Sequence, residues 1–381
     1  GDVYKRQVQG LLWLCVLHRK ETLICFQTMD KLSLYGWNEI LFRQKQISDF
    51  SNLMHGRVSV THKTCYEVVS ESGNFLCELT GNMLYSRDPV DYPCTGDWVL
   101  FQSIDSQKGI IFDMLPRCKA LYRLKSGQAS QKQAIASHID KAFIVQSLDE
   151  HFNVRRIERF MLQLSEEGIL PALILTKTDL GYNADDFESR LRHVSTKIPV
   201  FYTSIGMPET IARLREFISL AETVVFVGMS GVGKSTLINA LCQQSILATA
   251  EISEATGKGR HTSTRREMVL MDSGGVLIDT PGVKLFGVTN DNSDSLSGLL
   301  GLNNFARECK YADCRHINEK GCAVIKAVEE GEIDRGVYEN YLKLRKEAWH
   351  YNASVHEKRK SEKSFSKKLK KDMKLLKSKN D

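Results

Sequence analysis

Residues Thr223 to Thr236 read TVVFVGMSGVGKST, and the parsing of this stretch decides the fold. The run Val224, Val225, Phe226, Val227 is β-branched or aromatic throughout, which predicts a fully buried strand. It leads into Gly228-x-x-x-x-Gly233-Lys234-Ser235, the phosphate-loop pattern, and then into a helical run from Thr236 to Leu241. Gly228, Gly231 and Gly233 let the backbone curl until successive N–H groups face one point, and the helix beyond them adds its positive end. The expected phosphate contacts are Gly228, Met229, Ser230, Gly231, Val232, Gly233, Lys234, Ser235 and Thr236. Lys234 would reach the β- and γ-phosphates, and the Ser235 hydroxyl would sit on Mg²⁺. A loop that binds nothing needs neither the lysine nor the serine, so the expected ligand is a nucleoside triphosphate.

A chain of 381 residues suggests two or three domains, each able to bury its own core. Apolar content of 42% and charged content of 26% are those of an ordinary soluble globular protein. The ten cysteines follow no regular framework and read as reduced thiols in a cytoplasmic protein. The net charge of +6 is concentrated at one end: residues 357–381 hold 11 Lys/Arg against 4 Asp/Glu. This Lys-rich tail, 351–381, is expected to be a solvated end, with phosphate contacts as the alternative. The first methionine is Met29, and residues 1–28 share no pattern with the rest of the chain, so they are left as an unassigned extension before a leader at 29–52. Gly10 to Leu17 is too short to span a bilayer, and no small-residue cleavage site comes convincingly after it, so no membrane association is expected.

From Leu53 to Lys119 the pattern is short alternating segments: Arg57–Val60, Cys65–Val69, Phe75–Leu79, Asp97–Phe101 and Gly109–Phe112. Turn signals separate them, and five period-two strands predict a small closed barrel of the OB type over 53–125. Such barrels bind RNA through charge and stacking, or serve only as packing modules. Beyond Ser137 strands alternate with helices, which predicts a mostly parallel α/β sheet covered on both faces. Binding loops then fall at the carboxyl ends of its strands.

One such strand end carries Thr176-Lys177-Thr178-Asp179. A carboxylate there accepts two hydrogen bonds from the N1–H and exocyclic amine of guanine, which adenine cannot offer. The Lys177 stem can lie across the base plane. At the next strand end, Thr203-Ser204-Ile205 places a backbone N–H, assigned to Ser204, where it could meet the guanine O6. Downstream, Gly257 to Thr264 reads as a polar switch segment whose Thr262 would complete the Mg²⁺ shell. The strand ending in Asp279-Thr280-Pro281-Gly282 would hold Mg²⁺ through Asp279 and sense the γ-phosphate through the Gly282 N–H.

The order of these motifs is unusual. In conventional GTPases the base-reading motif comes after the phosphate loop, whereas here it precedes it by about 50 residues. In this the chain resembles the circularly permuted GTPases, and most closely the ribosome small-subunit-dependent (RsgA-type) family, from Met29 to about Arg345. The resemblance implies an N-terminal OB barrel, a permuted P-loop GTPase domain (126–290) and a small C-terminal helical zinc domain (291–350). Cys309-x4-Cys314-x-His316-x5-Cys322 agrees with the last of these: three thiolates and an imidazole within 14 residues suit tetrahedral Zn²⁺ with no open position. One structural zinc is expected there.

Two departures matter. The family's Asn at the first base-motif position is Thr176, which implies weaker nucleotide binding because that Asn ties the base loop to the phosphate loop. The residue after Gly282 is Val283, without the polar group that orients water in small GTPases, so slow intrinsic hydrolysis is expected, ~10⁻³ s⁻¹ or below. The resemblance points to His261 as the catalytic replacement, with an exposed loop histidine as the plain alternative. It also implies a monomeric GTP hydrolase that docks on the small ribosomal subunit and its rRNA and assists late maturation. The rivals are a permuted GTPase of the large subunit, a non-catalytic GTP-liganded RNA-binding scaffold, and an ATP-using P-loop enzyme.

Overall fold

The computed structural model describes residues 30–124, 132–150, 152–180, 184–244, 247, 266–280 and 300–352. The expectations for residues 1–28, the Gly257–Thr264 segment (with His261 and Thr262), Gly282, Val283 and the Lys-rich tail lie outside them.

Two short helices, α1 (Lys31–Leu34) and α2 (Glu39–Gln46), open the described chain. The Asn38 carboxamide caps α2 by accepting from the N–H groups of Ile40 and Leu41 at 3.0 and 3.2 Å. After them come β1 (Met54–Thr61), β2 (Tyr66–Ser70), β3 (Gly73–Leu79), α3 (Gly81–Ser86), β4 (Trp98–Ser103) and β5 (Lys108–Met114). The pairing runs β1-β2-β3-β5-β4, and β4 returns to β1, closing a five-stranded barrel with β3 and β5 parallel. Val58, Tyr66, Val68, Phe75, Val99, Phe101 and Ile111 fill it. Outside the barrel, Leu32 and Leu41 of the leader pack on Val69, Trp98 and Leu100. The described part of the leader, residues 30–52, thus covers one face of the barrel.

Next come β6 (Leu121–Leu124), β7 (Lys132–Ala136), β8 (Lys141–Ser147), α4 (Val154–Glu166), β9 (Leu170–Thr176), α5 (Ala184–Ser195), β10 (Val200–Tyr202), α6 (Pro208–Glu216), β11 (Thr223–Val227) and α7 (Lys234–Cys242). The last elements are β12 (Glu267–Leu270), β13 (Val276–Asp279), α8 (Asn303–Ala306), α9 (Ala323–Glu329) and α10 (Arg335–Asn352). Strands β10-β9-β8-β11-β13 are parallel, and β12 runs antiparallel beside β13. Every residue of β11 is buried, as the uninterrupted apolar run demands of a strand covered on both faces. The sheet does not stop at β12: Val60 of β1 pairs with Glu267, so the barrel and the α/β sheet form one continuous ladder.

Arg57 on β1 reinforces that seam. Its guanidinium is 1% exposed and donates to the Gly96 carbonyl (3.0 Å), the Tyr35 carbonyl (2.5 Å), the Thr223 hydroxyl (2.9 Å) and the His138 carbonyl (3.2 Å). One side chain thus joins the leader, the barrel and the strand that feeds the phosphate loop. Burial pulls its pKa down to about 10, opposed by Asp140 and Asp97, so it stays charged at neutral pH. Arg57→Met, which removes the donor from two buried and two half-buried acceptors, is expected to destabilise the fold by about 3–5 kcal/mol. A lower urea midpoint at unchanged slope would register it.

Interresidue contacts divide the chain into two compact units: residues 1–122, 133–152 and 167–284, and residues 123–132, 153–166 and 285–381. Helix α4, read from sequence as part of the GTPase domain, falls in the second. There Leu162 joins Leu302, Val324, Ala327, Tyr341 and Leu344 in one apolar cluster. Asn340 donates to Glu158 at 2.6 Å, and Arg159 pairs with Glu347 at 3.0 Å. Among the described residues no helix is long and apolar enough to cross a membrane.

Candidate GTP site and metal centre

The phosphate loop is set by the end of β11 and the start of α7. Gly228, Gly231 and Gly233 have φ of 154°, 83° and 94°. A Cβ on Gly228 would stand 2.4 Å from the Val145 carbonyl oxygen, so no other residue fits there. Lys234 is 6% exposed, and its ammonium donates to the carbonyls of Gly228 (3.1 Å) and Met229 (2.9 Å), folded back under the loop it belongs to. Burial lowers its pKa, with Asp279 opposing.

Asp279, at the end of β13, accepts from the Ser235 hydroxyl at 2.8 Å through Oδ2. Its Oδ1 is buried with no hydrogen-bond partner. Burial raises its pKa against the pull of Ser235 and Lys234. A hydroxyl and a carboxylate oxygen left short of partners are the donor set of a hard cation, and these residues fit Mg²⁺. Thr280 donates to the Phe226 carbonyl at 2.5 Å and locks β13 to β11 beneath the loop.

The base loop comes from the end of β9. Thr178 N–H reaches the Thr203 carbonyl at 3.5 Å, and Thr203 N–H returns to Leu175 at 2.7 Å, tying this loop to the end of β10. Thr176, Lys177, Asp179, Ser204, Val232 and Thr236 line one cavity of about 210 Å³. The base loop and the phosphate loop therefore share a pocket, though their motifs stand in reversed order along the chain. The Ser204 N–H already donates to the Thr210 hydroxyl at 3.2 Å, so it is engaged locally.

Thr176 still bridges the base loop and the phosphate loop. Its hydroxyl donates to the Val232 carbonyl at 2.7 Å, spanning the two loops as the longer amide of Asn would. A second, longer contact reaches the Gln146 carbonyl at 3.4 Å. Thr176→Val, which keeps the shape and removes the donor, is expected to weaken GDP binding about five- to tenfold, the effect of one buried hydrogen bond. Titration with a fluorescent GDP reads it directly.

Sequence reasoning missed Asp149, whose carboxylate lies 3.3 Å from the Lys177 ammonium. The available signal was an acidic residue just beyond a buried strand, at the binding edge of the sheet.

In the second unit, Cys309, Cys314, His316 and Cys322 bring four ligand atoms within 4.8 Å of one another. Cys309 Sγ lies 3.5 Å from His316 Nδ1 and 3.9 Å from Cys322 Sγ, and His316 Nδ1 lies 3.4 Å from Cys322 Sγ. Edges of this length suit a tetrahedron about a zinc with Zn–S near 2.3 Å and Zn–N near 2.0 Å, so the residues fit the metal. His316 holds φ 56° to turn its ring inward, and the Tyr338 hydroxyl fixes its carbonyl at 2.8 Å.

The RsgA GTPase family model matches residues 114–289. The chain is 62% identical, over 338 residues covering 89% of it and 95% of the relative, to the small ribosomal subunit biogenesis GTPase RsgA 1 of Bacteroides thetaiotaomicron. It is 36% identical, over 76% of its length and 84% of the relative, to the protein of the same name from Oceanobacillus iheyensis. The crystal structure of YjeQ from Thermotoga maritima aligns with TM-score 0.56 at 25% identity, covering 77% of this chain and 98% of that one. YloQ, described as a circularly permuted GTPase, aligns with TM-score 0.55 at 22% identity over 80% of this chain and 97% of that one, a likeness of fold alone. With a reversed motif order, a shared two-loop pocket and relatives matched almost end to end, this chain belongs to the RsgA GTPase family.

Proposed function

We propose that this protein hydrolyses GTP on the small ribosomal subunit, assists that subunit's late maturation and is stimulated by it. The observation that carries this reading is the single cavity lined by Asp179 of the base loop and Gly233 and Thr236 of the phosphate loop. The names of the relatives supply the ribosomal partner.

In this reading Asp179 accepts from the guanine N1–H and amine, and the backbone N–H of Ser204 meets O6 in exchange for its bond to the Thr210 hydroxyl. Lys177 lies along the base and Thr176 joins the loops. The backbone of Gly228 to Thr236 and the Lys234 ammonium hold the phosphates. Ser235, Asp279 and Thr262 would hold Mg²⁺. When bound with GTP, that ion draws off charge building on the β- and γ-phosphate oxygens. The Gly282 N–H senses the γ-phosphate, and His261 orients the attacking water once the subunit is bound. Zinc on Cys309, Cys314, His316 and Cys322 is structural. The barrel over 53–125 and the zinc domain over 291–350, which stand before and after the GTPase domain of 126–290 in the chain, contact rRNA. The protein acts as a cytoplasmic monomer.

GTP turnover measured alone, with purified small subunits and with large subunits tests this. Stimulation by the small subunit only is the expected result. Stimulation by the large subunit, or no turnover with either, would overturn it.

A further inference from the structure

The loop that links β8 to α4 places an acidic residue, Asp149, against the lysine of the base motif. Asp149 Oδ2 is 3.3 Å from Lys177 Nζ, and the two side chains are 16% and 29% exposed. The backbone that carries Asp149 is held in place. Leu148 N–H donates to the Thr176 carbonyl at 3.1 Å, so the loop is stitched to the base motif itself. Phe152 N–H donates to the Asp149 carbonyl at 3.0 Å. The Phe152 ring stands edge-on to Phe187 with centroids 4.9 Å apart, and the Arg190 guanidinium lies 5.0 Å from it. The lysine is held from its own side too, since its backbone takes a left-handed φ of 62° that fixes where the stem leaves the chain.

Lys177 and Asp179 line the same cavity two residues apart. A lysine is a mobile point charge on a long stem, and an untethered one beside a carboxylate competes for it with any other donor. We propose that Asp149 is a positioning residue for guanine recognition. It draws the Lys177 ammonium away from Asp179, so that the aliphatic stem walls the cavity and the Asp179 carboxylate faces the base donors. The inference rests on reading the cavity as the guanine site.

The test is the affinity and dissociation rate of a fluorescent GDP for the full chain. Asp149→Ala is expected to weaken binding about tenfold, almost all through faster dissociation, at an unchanged unfolding midpoint. Asp149→Glu should recover most of the loss, and Asp149→Ala should add little on a Lys177→Ala background, because both changes remove one arrangement. Asp149→Asn, which keeps shape and an acceptor oxygen, serves if the alanine variant is unstable and should fall between the two. Unchanged or tighter GDP binding in Asp149→Ala or Asp149→Asn would overturn the proposal, as would full additivity with Lys177→Ala. Failure of the wild-type chain to prefer GDP over ADP would instead remove the reading of the cavity on which it rests.

Discussion

Asp179→Asn is expected to move the nucleotide preference from guanine to xanthine. In the proposed site the carboxylate would accept from both N1–H and the C2 amine of guanine, a charged bidentate contact that a carboxamide cannot repeat. Asparagine turns one acceptor into a donor, which meets the guanine amine donor to donor and leaves both unpaired. The loss for GTP should be ~10³-fold in affinity, about 4 kcal/mol. Xanthine carries a C2 carbonyl in place of the amine, so the same carboxamide donates to it while still accepting from N1–H. Asp179 is exposed at the cavity and makes no contact on which the sheet depends, so the fold should be untouched. Competition of labelled GDP by GDP and by xanthosine diphosphate decides the matter. Wild-type affinity for GDP in the variant would remove Asp179 from the site.

The second large effect is metal removal. The cluster of Leu300, Leu302, Val324, Ala327, Ile333, Tyr341 and Leu344 is small, and the four ligands lie between α8 and α9. Structural zinc contributes about 10–16 kcal/mol of apparent binding free energy in domains of this kind, more than so small a core supplies alone. Burial raises the pKa of the Cys314 and Cys322 thiols, so without a metal they stay protonated at neutral pH. Metal and protons compete for the same sulfurs, and zinc affinity should therefore fall as the pH is lowered. Chelation, or Cys314→Ser, is expected to melt α9 and α10 and lower the helical circular dichroism. The nucleotide site lies in the other compact unit, so GDP binding should persist. One zinc per chain by elemental analysis is the accompanying expectation. A metal-free chain keeping its full helical signal and melting curve would refute the structural role.

The elements that were legible share a property. The phosphate loop, the TKTD motif, the cysteine spacing and the barrel strands are each short-range patterns, in which residues a few positions apart dictate one local geometry. The pattern alone called for glycine at 228 so that the loop could curl, and the Val145 carbonyl 2.4 Å from its missing Cβ adds a second reason. Less legible were cases where a local pattern admits more than one partner. Helix α4 is amphipathic wherever it packs, so periodicity announced the helix and could not say that Leu162 would join Tyr341 and Leu344. At Thr176 the motif alone could not show that the shorter hydroxyl spans to the Val232 carbonyl, since that depends on a distance set by the fold.

By itself the sequence determined the three kinds of module, the permuted order of the motifs and the Cys3His cluster, since in each the pattern is written within a few consecutive residues. Only the tertiary structure decided that β1 continues the α/β sheet through Val60 and Glu267, and that Arg57 joins three segments at the Thr223 hydroxyl. It also decided that Asp149 faces Lys177. Those contacts join residues 28 to 207 positions apart, and no periodicity survives across such separations; what selects them is the requirement that buried charges and backbone groups find partners when the sheet closes.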